Sequence, residues 1–297
     1  MRYQLIDQWQ FALPPNTSWR QIFRWLNRYE RMVFRVTGDD VCFWLPASIG
    51  DGFARLGPVD DQHLELELHH DGDLSRQHLE TYLRWWWDLD RDMTPFYEAY
   101  RDDPLLGKSL TINRGARIVG VPDLFEALVL GIVGQQINVS FAHALKHRIT
   151  ETYGSSMDYL GETWWRFPTP QDIVEKARIE DLRPMQISQR KAEYVIGIAE
   201  AMHRGDFSRE SLLTMDLAGQ MAAMTAVRGI GAWTAQYVCM KCLHTMEAFV
   251  AGDSGVQNAV RDLLQMDRKP SLDELYELAI PWKDWQAYAV WFLWLAE

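Results

Sequence analysis

Two glycines and one aspartate are the residues whose types and spacing best suit a binding or catalytic site. The glycines flank Ile230 in a Gly-Ile-Gly turn between two helix-forming stretches, and Asp253 follows in a short Gly-Asp loop twenty residues after Trp233. Because a glycine has no Cβ, the backbone at such a turn can approach a ligand closely. The first N–H groups of the next helix point outwards, where the positive end of the helix dipole attracts an anion such as a phosphate. We therefore expect the turn to hold a nucleic-acid backbone and the carboxylate to act beside it.

Each of these features also has a plainer structural interpretation when it is taken alone. The turn lacks the third glycine of a dinucleotide-binding motif, and a helix rather than a strand precedes it. Asp253 could be a solvated loop acid or the N-cap of the helix that follows it. Cys239 and Cys242 have CxxC spacing but lie within a predicted helix with no second pair. We expect two packed thiols there, and no metal site.

Two glutamines interrupt an apolar helical stripe. Gln135 and Gln136 follow Gly134 at the end of a helix predicted from Pro122 onward. Glutamines at such a helix end can read base edges or fill the gap beside a displaced base. A satisfied internal hydrogen bond explains them equally well.

The composition leaves a nucleic-acid partner open. The net charge is −11, but residues 39–73 hold nine acids and one base, whereas residues 105–150 hold five bases and two acids. A locally positive face is therefore allowed, although the total charge opposes one. Fourteen tryptophans exceed the usual number, so some can form a stacking pocket in addition to packing the core.

Cysteine content and hydropathy bear on the compartment. Three cysteines are too few for a disulfide scaffold and suggest a reducing compartment. The first twenty residues have no continuous apolar run, and no stretch of eighteen apolar residues occurs. We expect a cytoplasmic protein with no membrane partner.

The periodicity of apolar residues divides the chain into two parts. Residues 1–100 mix helical runs with alternating strand-like runs, which predicts an α+β domain with an antiparallel sheet. Its predicted elements are helices at Ser18–Met32 and His78–Leu89 and strands at Val33–Thr37, Val41–Leu45 and His63–His69. Two prolines and three glycines in residues 91–121 indicate a domain boundary, and we expect residues 101–121 to be a connecting segment that packs on the helical body. Residues 122–297 are expected to be all-α, with a helical hairpin at 220–243 and a loop at 251–255. Its further predicted helices are Ser140–Tyr153, Thr169–Ala177, Ile179–Met185, Ser188–His203, Leu212–Val227, Ala232–His244, Val256–Leu264, Leu272–Ile280 and Trp285–Ala296.

The order of these features resembles the helix-hairpin-helix DNA glycosylase superfamily. The shared features are the glycine-containing hairpin, the single aspartate and the C-terminal Trp-rich helix. Within the superfamily the chain is similar to the AlkA-type alkylpurine glycosylases, the DNA-3-methyladenine glycosylases II, strongly over residues 120–297 and more weakly over 1–100. The resemblance implies a TBP-like α+β N-terminal domain followed by an all-α helix-hairpin-helix glycosylase body.

The resemblance also implies roles for individual residues. Asp253 would be the catalytic carboxylate. Gln136 would be the wedge that fills the gap left by an extruded nucleotide, a position that is more apolar in the AlkA type. The base pocket would be lined by four aromatic side chains, Trp233, Tyr237, Trp294 and Phe23. Backbone amides at the hairpin would contact phosphate at Gly229, Gly231 and Thr234.

Two differences from relatives bear on the reaction and the cofactors that we expect. Lyase-active relatives carry a nucleophilic lysine at the position of Trp233, so we expect hydrolysis without a covalent intermediate. Relatives with an iron–sulfur cluster carry four cysteines after the hairpin, whereas only Cys239 and Cys242 are near it here, so no cluster is expected. No cofactor is expected otherwise, although the family suggests an alkali cation held by hairpin carbonyls.

The resemblance therefore implies a base-excision repair enzyme. It would act as a monomer on double-stranded DNA, flip out alkylated bases such as 3-methyladenine and 7-methylguanine, and leave an abasic site. One alternative is a glycosylase for another lesion, such as 8-oxoguanine. Another is a non-catalytic helix-hairpin-helix module that only binds DNA.

Overall fold

The N-terminal part of the chain folds as a five-stranded antiparallel sheet with two helices. A computed structural model describes residues 4–28, 32–70, 72 and 74–296. The strand order is β1-β5-β4-β3-β2, so β5 lies between β1 and β4. The elements are β1 (Gln4–Ala12), α1 (Trp19–Leu26), β2 (Arg35–Thr37), β3 (Asp40–Trp44), β4 (Gly52–Pro58), β5 (His63–His70) and α2 (Arg76–Trp86).

The alternation predicted for residues 63–69 is confirmed by strand β5. Leu64, Leu66 and Leu68 are fully buried, whereas Glu65 between them is exposed. This is the two-residue period of a strand with one face on a core. The predicted antiparallel sheet is confirmed as well, but strands β1 and β4 had not been predicted. The helix predicted over 18–32 ends at Leu26 in the structure, and its last predicted turn includes residues 29–31, which lie outside the described residues.

The remainder is helical apart from one hairpin. Its elements are α3 (Thr94–Tyr100), α4 (Gly107–Ile112), α5 (Leu124–Val133), α6 (Val139–Tyr153), β6 (Ser155–Tyr159), β7 (Glu162–Arg166), α7 (Pro170–Lys176), α8 (Ile179–Leu182), α9 (Gln189–His203), α10 (Arg209–Leu213), α11 (Leu217–Thr225), α12 (Ala232–Lys241), α13 (Ser254–Leu263), α14 (Leu272–Ala279), a 3₁₀ turn (Ile280–Trp282) and α15 (Gln286–Leu295). The helix predicted over 212–227 is two helices, because the side chain of Asp216 caps a new helix start.

Among the described residues of this part, the β6–β7 hairpin is the one departure from the all-α expectation. Its tight turn uses Leu160 and Gly161, whose φ values are +54° and +80°, as a two-residue hairpin turn requires. Its inward side chains pack on Trp44 and Phe53 of the N-terminal sheet, with the rings of Phe53 and Trp164 4.6 Å apart. The hairpin therefore ties the helical body to the outer face of the sheet.

The connecting segment fixes the two parts against each other. In helix α4, the Ser109 hydroxyl donates to the carbonyl of Phe292 at 2.7 Å. Arg117 is 1% exposed, and its guanidinium donates to the carbonyls of Asp88 and Arg91 at 3.2 and 2.7 Å. One continuous hydrophobic core runs through both parts. Helix α1 is consequently held against α15, with the rings of Trp25 and Trp291 4.2 Å apart.

No helix among the described residues has both the length and the apolar character needed to cross a membrane.

Candidate active site

The Gly-Ile-Gly turn joins α11 to α12 in the predicted hairpin. Gly229 has φ +103°, and a Cβ added there would lie 2.4 Å from Cγ of Tyr194. Gly231 is the N-cap of α12 and offers no capping side chain. The first bond within α12 runs from the N–H of Ala235 to the carbonyl of Gly231, so the amides of residues 232–234 point out of the helix end. The turn thus leaves the N-terminus of α12 uncapped, and the positive end of a helix dipole attracts anions.

We predict that Gly229→Ala destabilises the protein whereas Gly231→Ala does not. The alanine at 229 combines a strained positive φ with a clash against a buried ring, which we expect to cost about 2 kcal/mol or more. At Gly231 an added Cβ meets nothing within 4 Å, so the matched change should stay within about 1 kcal/mol. Urea unfolding of both variants checks this, and equal losses would contradict the packing of Gly229 on Tyr194.

Asp253 uses its two carboxylate oxygens differently. It is the N-cap of α13, and its Oδ1 accepts from the amides of Gly255 and Val256 at 2.9 and 3.2 Å. The same oxygen accepts from the indole Nε1 of Trp294 at 2.9 Å. No described residue donates a hydrogen bond to Oδ2, and the residue lies in the wall of a large cavity. The capping role considered for Asp253 therefore coexists with a chemically available oxygen.

The cavity measures about 1000 Å³ and is bounded by the hairpin, the 251–255 loop, α15 and α1. Two pairs of near-parallel aromatic rings line it. Trp233 and Tyr237 of α12 stack with centroids 5.5 Å apart at 13°, and Trp25 and Trp294 lie 6.5 Å apart at 16°. Such faces attract flat rings and cations.

Most of the predicted site residues meet at this cavity. Its lining includes seven of them, Gln136, Gly231, Trp233, Thr234, Tyr237, Asp253 and Trp294. Gly229 lies behind the hairpin on Tyr194. The Thr234 side chain is buried against α5, so only its backbone amide is turned to the helix end.

The structure does not bring Phe23 to the cavity, although it was predicted to line the base pocket. Phe23 packs on Trp19, with ring centroids 5.6 Å apart, and does not line the cavity, whereas Trp25 does. Two positions along a helix differ by about 200° in direction, so the two side chains point away from each other. The periodicity of α1 places Trp25 at the edge of the buried stripe, and only the fold shows that this edge meets α15.

The two glutamines lie in different environments. Gln135 donates from Nε2 to the carbonyl of Gly229 and to Oγ1 of Thr234, each at 3.4 Å, so it makes the internal hydrogen bonds. Gln136 is exposed at the cavity rim with φ +59°, a conformation that costs energy in a residue other than glycine. Lys191 donates to the carbonyls of Val133 and Gln135 at 2.8 Å each and holds this loop in place.

Sequence reasoning also missed Lys241. Its side chain is almost fully buried, it borders the cavity, and its ammonium donates to the carbonyl of Val119. The nitrogen lies 4.2 Å from the ring of Trp291 and 5.0 Å from that of Trp25. A lysine within a predicted helix carries no signal of such a position.

Metal-binding groups are not assembled here. The described residues contain no cluster of three or more His, Cys, Asp or Glu side chains able to hold a metal ion. Cys239 and Cys242 are free and buried, as predicted for packed thiols, and burial raises the pKa of Cys239 to about 12. Of the hairpin carbonyls that could hold the suggested alkali cation, those of Val227 and Gly229 each accept one hydrogen bond, from the amide of Ile230 and from Nε2 of Gln135.

Comparison with known proteins agrees with this geometry. Residues 129–283 match the family model described as HhH-GPD superfamily base excision DNA repair protein, and residues 5–128 match that of the 8-oxoguanine DNA glycosylase N-terminal domain. The chain is 42% identical over 220 residues to a DNA-3-methyladenine glycosylase of Bacillus subtilis, covering 74% of this chain and 72% of that protein.

Two solved structures share the fold. A 3-methyladenine DNA glycosylase from Archaeoglobus fulgidus superposes with a TM-score of 0.84, at 22% identity and 97% coverage of each chain. The 8-oxoguanine glycosylase/lyase of Clostridium acetobutylicum, in its apo form, superposes with a TM-score of 0.77, at 16% identity and 100% coverage of each chain. With its aspartate, its hairpin and the family model matched over its helical body, the chain belongs to the HhH-GPD superfamily of base excision DNA repair proteins.

Proposed function

We infer that the protein is a cytoplasmic, monomeric and monofunctional DNA glycosylase. It would hydrolyse the glycosidic bond of alkylated bases in duplex DNA, release the free base and leave an abasic site. The observation that carries this inference is the carboxylate of Asp253. Three hydrogen bonds fix one of its oxygens, while the other is available in an aromatic cavity beside an anion-binding hairpin. The similarity to 3-methyladenine glycosylases supports the choice of lesion.

The hairpin and the glutamine loop would move the base into the cavity. A base inside a duplex cannot reach Asp253, so the nucleotide must rotate out of the stack at a cost of a few kcal/mol. The outward amides of residues 232–234 would hold a backbone phosphate during this rotation. Gln136, exposed at the rim, would fill the gap that the nucleotide leaves.

The aromatic faces favour a positively charged base. Alkylated purines such as 3-methyladenine and 7-methylguanine carry a positive charge on the ring while attached to DNA. Each good cation–π contact contributes roughly 0.5–2 kcal/mol. The ammonium of Lys241 lies near the rings of Trp25 and Trp291, and the rings of Trp233, Tyr237 and Trp294 would receive the base.

A single carboxylate is then sufficient for the chemistry. Alkylation makes the base a good leaving group, so its departure needs little help from a general acid. The sugar that remains resembles an oxocarbenium ion, which the Oδ2 side of Asp253 would stabilise as an anion while it orients or deprotonates the attacking water. Trp233 stands where a Schiff-base lysine would be, which supports hydrolysis.

The alternative functions are less well supported. The N-terminal match to an 8-oxoguanine glycosylase domain keeps that lesion as the second candidate. Against it stand the missing lysine and the greater identity to a 3-methyladenine glycosylase. A module that only binds DNA would need neither an available carboxylate nor an aromatic cavity.

The direct test is base release from methylated DNA. Purified protein should release 3-methyladenine and 7-methylguanine from methylated duplex DNA, measured by chromatography of the free bases. The product strand should contain abasic sites without nicks, and borohydride should trap no covalent complex. Release of 8-oxoguanine alone would favour the second candidate, and no release of any base would overturn the proposed function.

We predict that Trp294→Phe lowers the excision rate about 10-fold. The phenyl ring keeps an aromatic face in the cavity but removes the N–H that donates to Oδ1 of Asp253. A hydrogen bond to a charged group contributes about 1.5–3 kcal/mol, and here it orients the carboxylate. Single-turnover rates check this, together with the affinity for an abasic-site duplex, which should not change. An unchanged rate would contradict a positioning role.

A further inference from the structure

Behind the hairpin lies an aromatic ring that carries two arginines. The ring of Tyr194 on α9 supports the backbone of Gly229. The guanidinium carbons of Arg190 and Arg228 lie 5.6 and 5.8 Å from its centroid. Arg190 also donates from Nε to the Tyr194 hydroxyl at 2.5 Å. One side chain therefore joins the hairpin to two cations.

The position and exposure of Arg228 suit it to bind an anion. It directly precedes Gly229, and its side chain is 79% exposed. Its ion pair with Glu193 is long, at 3.5 Å, and such an exposed pair contributes little to stability. A guanidinium forms stronger, bidentate hydrogen bonds with a phosphate, so exchanging this partner for a phosphate is favourable.

The ring itself serves as a support rather than as a platform for bases. Tyr194 is only 9% exposed, and the hairpin backbone and the two guanidinium groups surround it. The groups that reach solvent beside the hairpin are the guanidinium groups of Arg190 and Arg228 together with the carboxylate of Glu193. The guanidinium groups can contact backbone phosphates, which position a protein on DNA without reading its bases.

We propose that Arg228, supported by Tyr194 and accompanied by Arg190, forms a second phosphate-binding surface beside the hairpin. It would hold the DNA backbone next to the phosphate gripped by the N-terminus of α12. This inference rests on the proposed function, since it takes duplex DNA as the partner. It also gives a chain of net charge −11 a local means of attracting DNA.

The salt dependence of DNA binding tests the proposal. The probe is a fluorescent duplex carrying a tetrahydrofuran abasic-site analogue, titrated by anisotropy from about 50 to about 300 mM NaCl. The association constant falls with salt, and each lost phosphate contact makes the slope of log K against log salt less negative by about 0.9. We expect Arg228→Gln to show that change and to bind roughly 3- to 10-fold more weakly at low salt. Arg190→Gln should act in the same direction, and Arg228→Lys should keep the wild-type slope.

Arg101 provides the matched control. It directly follows α3, its side chain is 76% exposed, and it pairs with the neighbouring Asp102 at 3.2 Å. It lines neither the cavity beside Arg228 nor the cavity of Asp253. Arg101→Gln should leave slope and affinity unchanged. A wild-type slope for Arg228→Gln, or an equal change for Arg101→Gln, would overturn the proposal.

The readout also separates this proposal from the proposed function, because binding is measured without excision. A changed slope in a protein that releases no methylated base would retain the surface and reject the activity. Release with an unchanged Arg228→Gln slope would reject only the surface. Absence of salt-dependent duplex binding by the wild type would reject both.

Discussion

Replacing Asp253 with asparagine is expected to lower the single-turnover rate of 7-methylguanine excision by roughly 10²- to 10⁴-fold. Asparagine keeps an Oδ1 that can accept from Gly255, Val256 and Trp294, so the N-cap and the loop should persist. Only the second oxygen is exchanged, for an uncharged NH₂ group. Loss of the negative charge removes the stabilisation of the sugar cation and any activation of water.

Binding and unfolding measurements distinguish this effect from misfolding. The asparagine variant should bind a duplex with an abasic-site analogue within about 2-fold of wild type and should unfold at the same urea concentration. Asp253→Ala, in contrast, also loses the cap of α13 and should be about 1 kcal/mol less stable. Full excision by Asp253→Asn would remove the carboxylate from the mechanism.

Local patterns account for the parts of the site that sequence alone predicts. The Gly-Ile-Gly turn and the Asp253 loop depend on backbone conformations and caps that a few adjacent residues encode. The helices that flank them follow from apolar periodicity, which is strong when one face of a helix is buried. Trp233 and Tyr237 were assigned to the pocket from the family resemblance, and they form a pair because side chains four apart on a helix lie on one face.

Contacts between segments distant in the chain account for the parts of the site that the sequence does not predict. Trp25 reaches the cavity because α1 packs on α15, more than 260 residues later in the chain. Lys241 is buried because two tryptophans and the carbonyl of Val119 surround it. The β6–β7 hairpin gains its stability from the outer face of the N-terminal sheet. Short-range periodicity contains none of this information.

Replacing Trp233 with lysine is the second change expected to have a large effect, lowering kcat/KM for 7-methylguanine about 10²-fold. The variant loses the face that stacks beside Tyr237, worth roughly 0.5–2 kcal/mol toward a cationic base. It also places an ammonium in the cavity wall, and two charges about 4 Å apart repel by about 1–4 kcal/mol in water-like to protein-surface surroundings.

Trp233→Met separates these two contributions, because methionine has nearly the length of lysine but no charge. We expect kcat/KM to fall about 10-fold in Trp233→Met, because the ring alone is missing, and to fall clearly further in Trp233→Lys. Single-turnover excision and the affinity for an abasic-site duplex should be measured on both variants. If the two excise equally well, the charge of the bound base makes no difference at this position. In that case the aromatic cavity would select its base by shape, and the preference for cationic alkylpurines would have to come from the lability of their glycosidic bond.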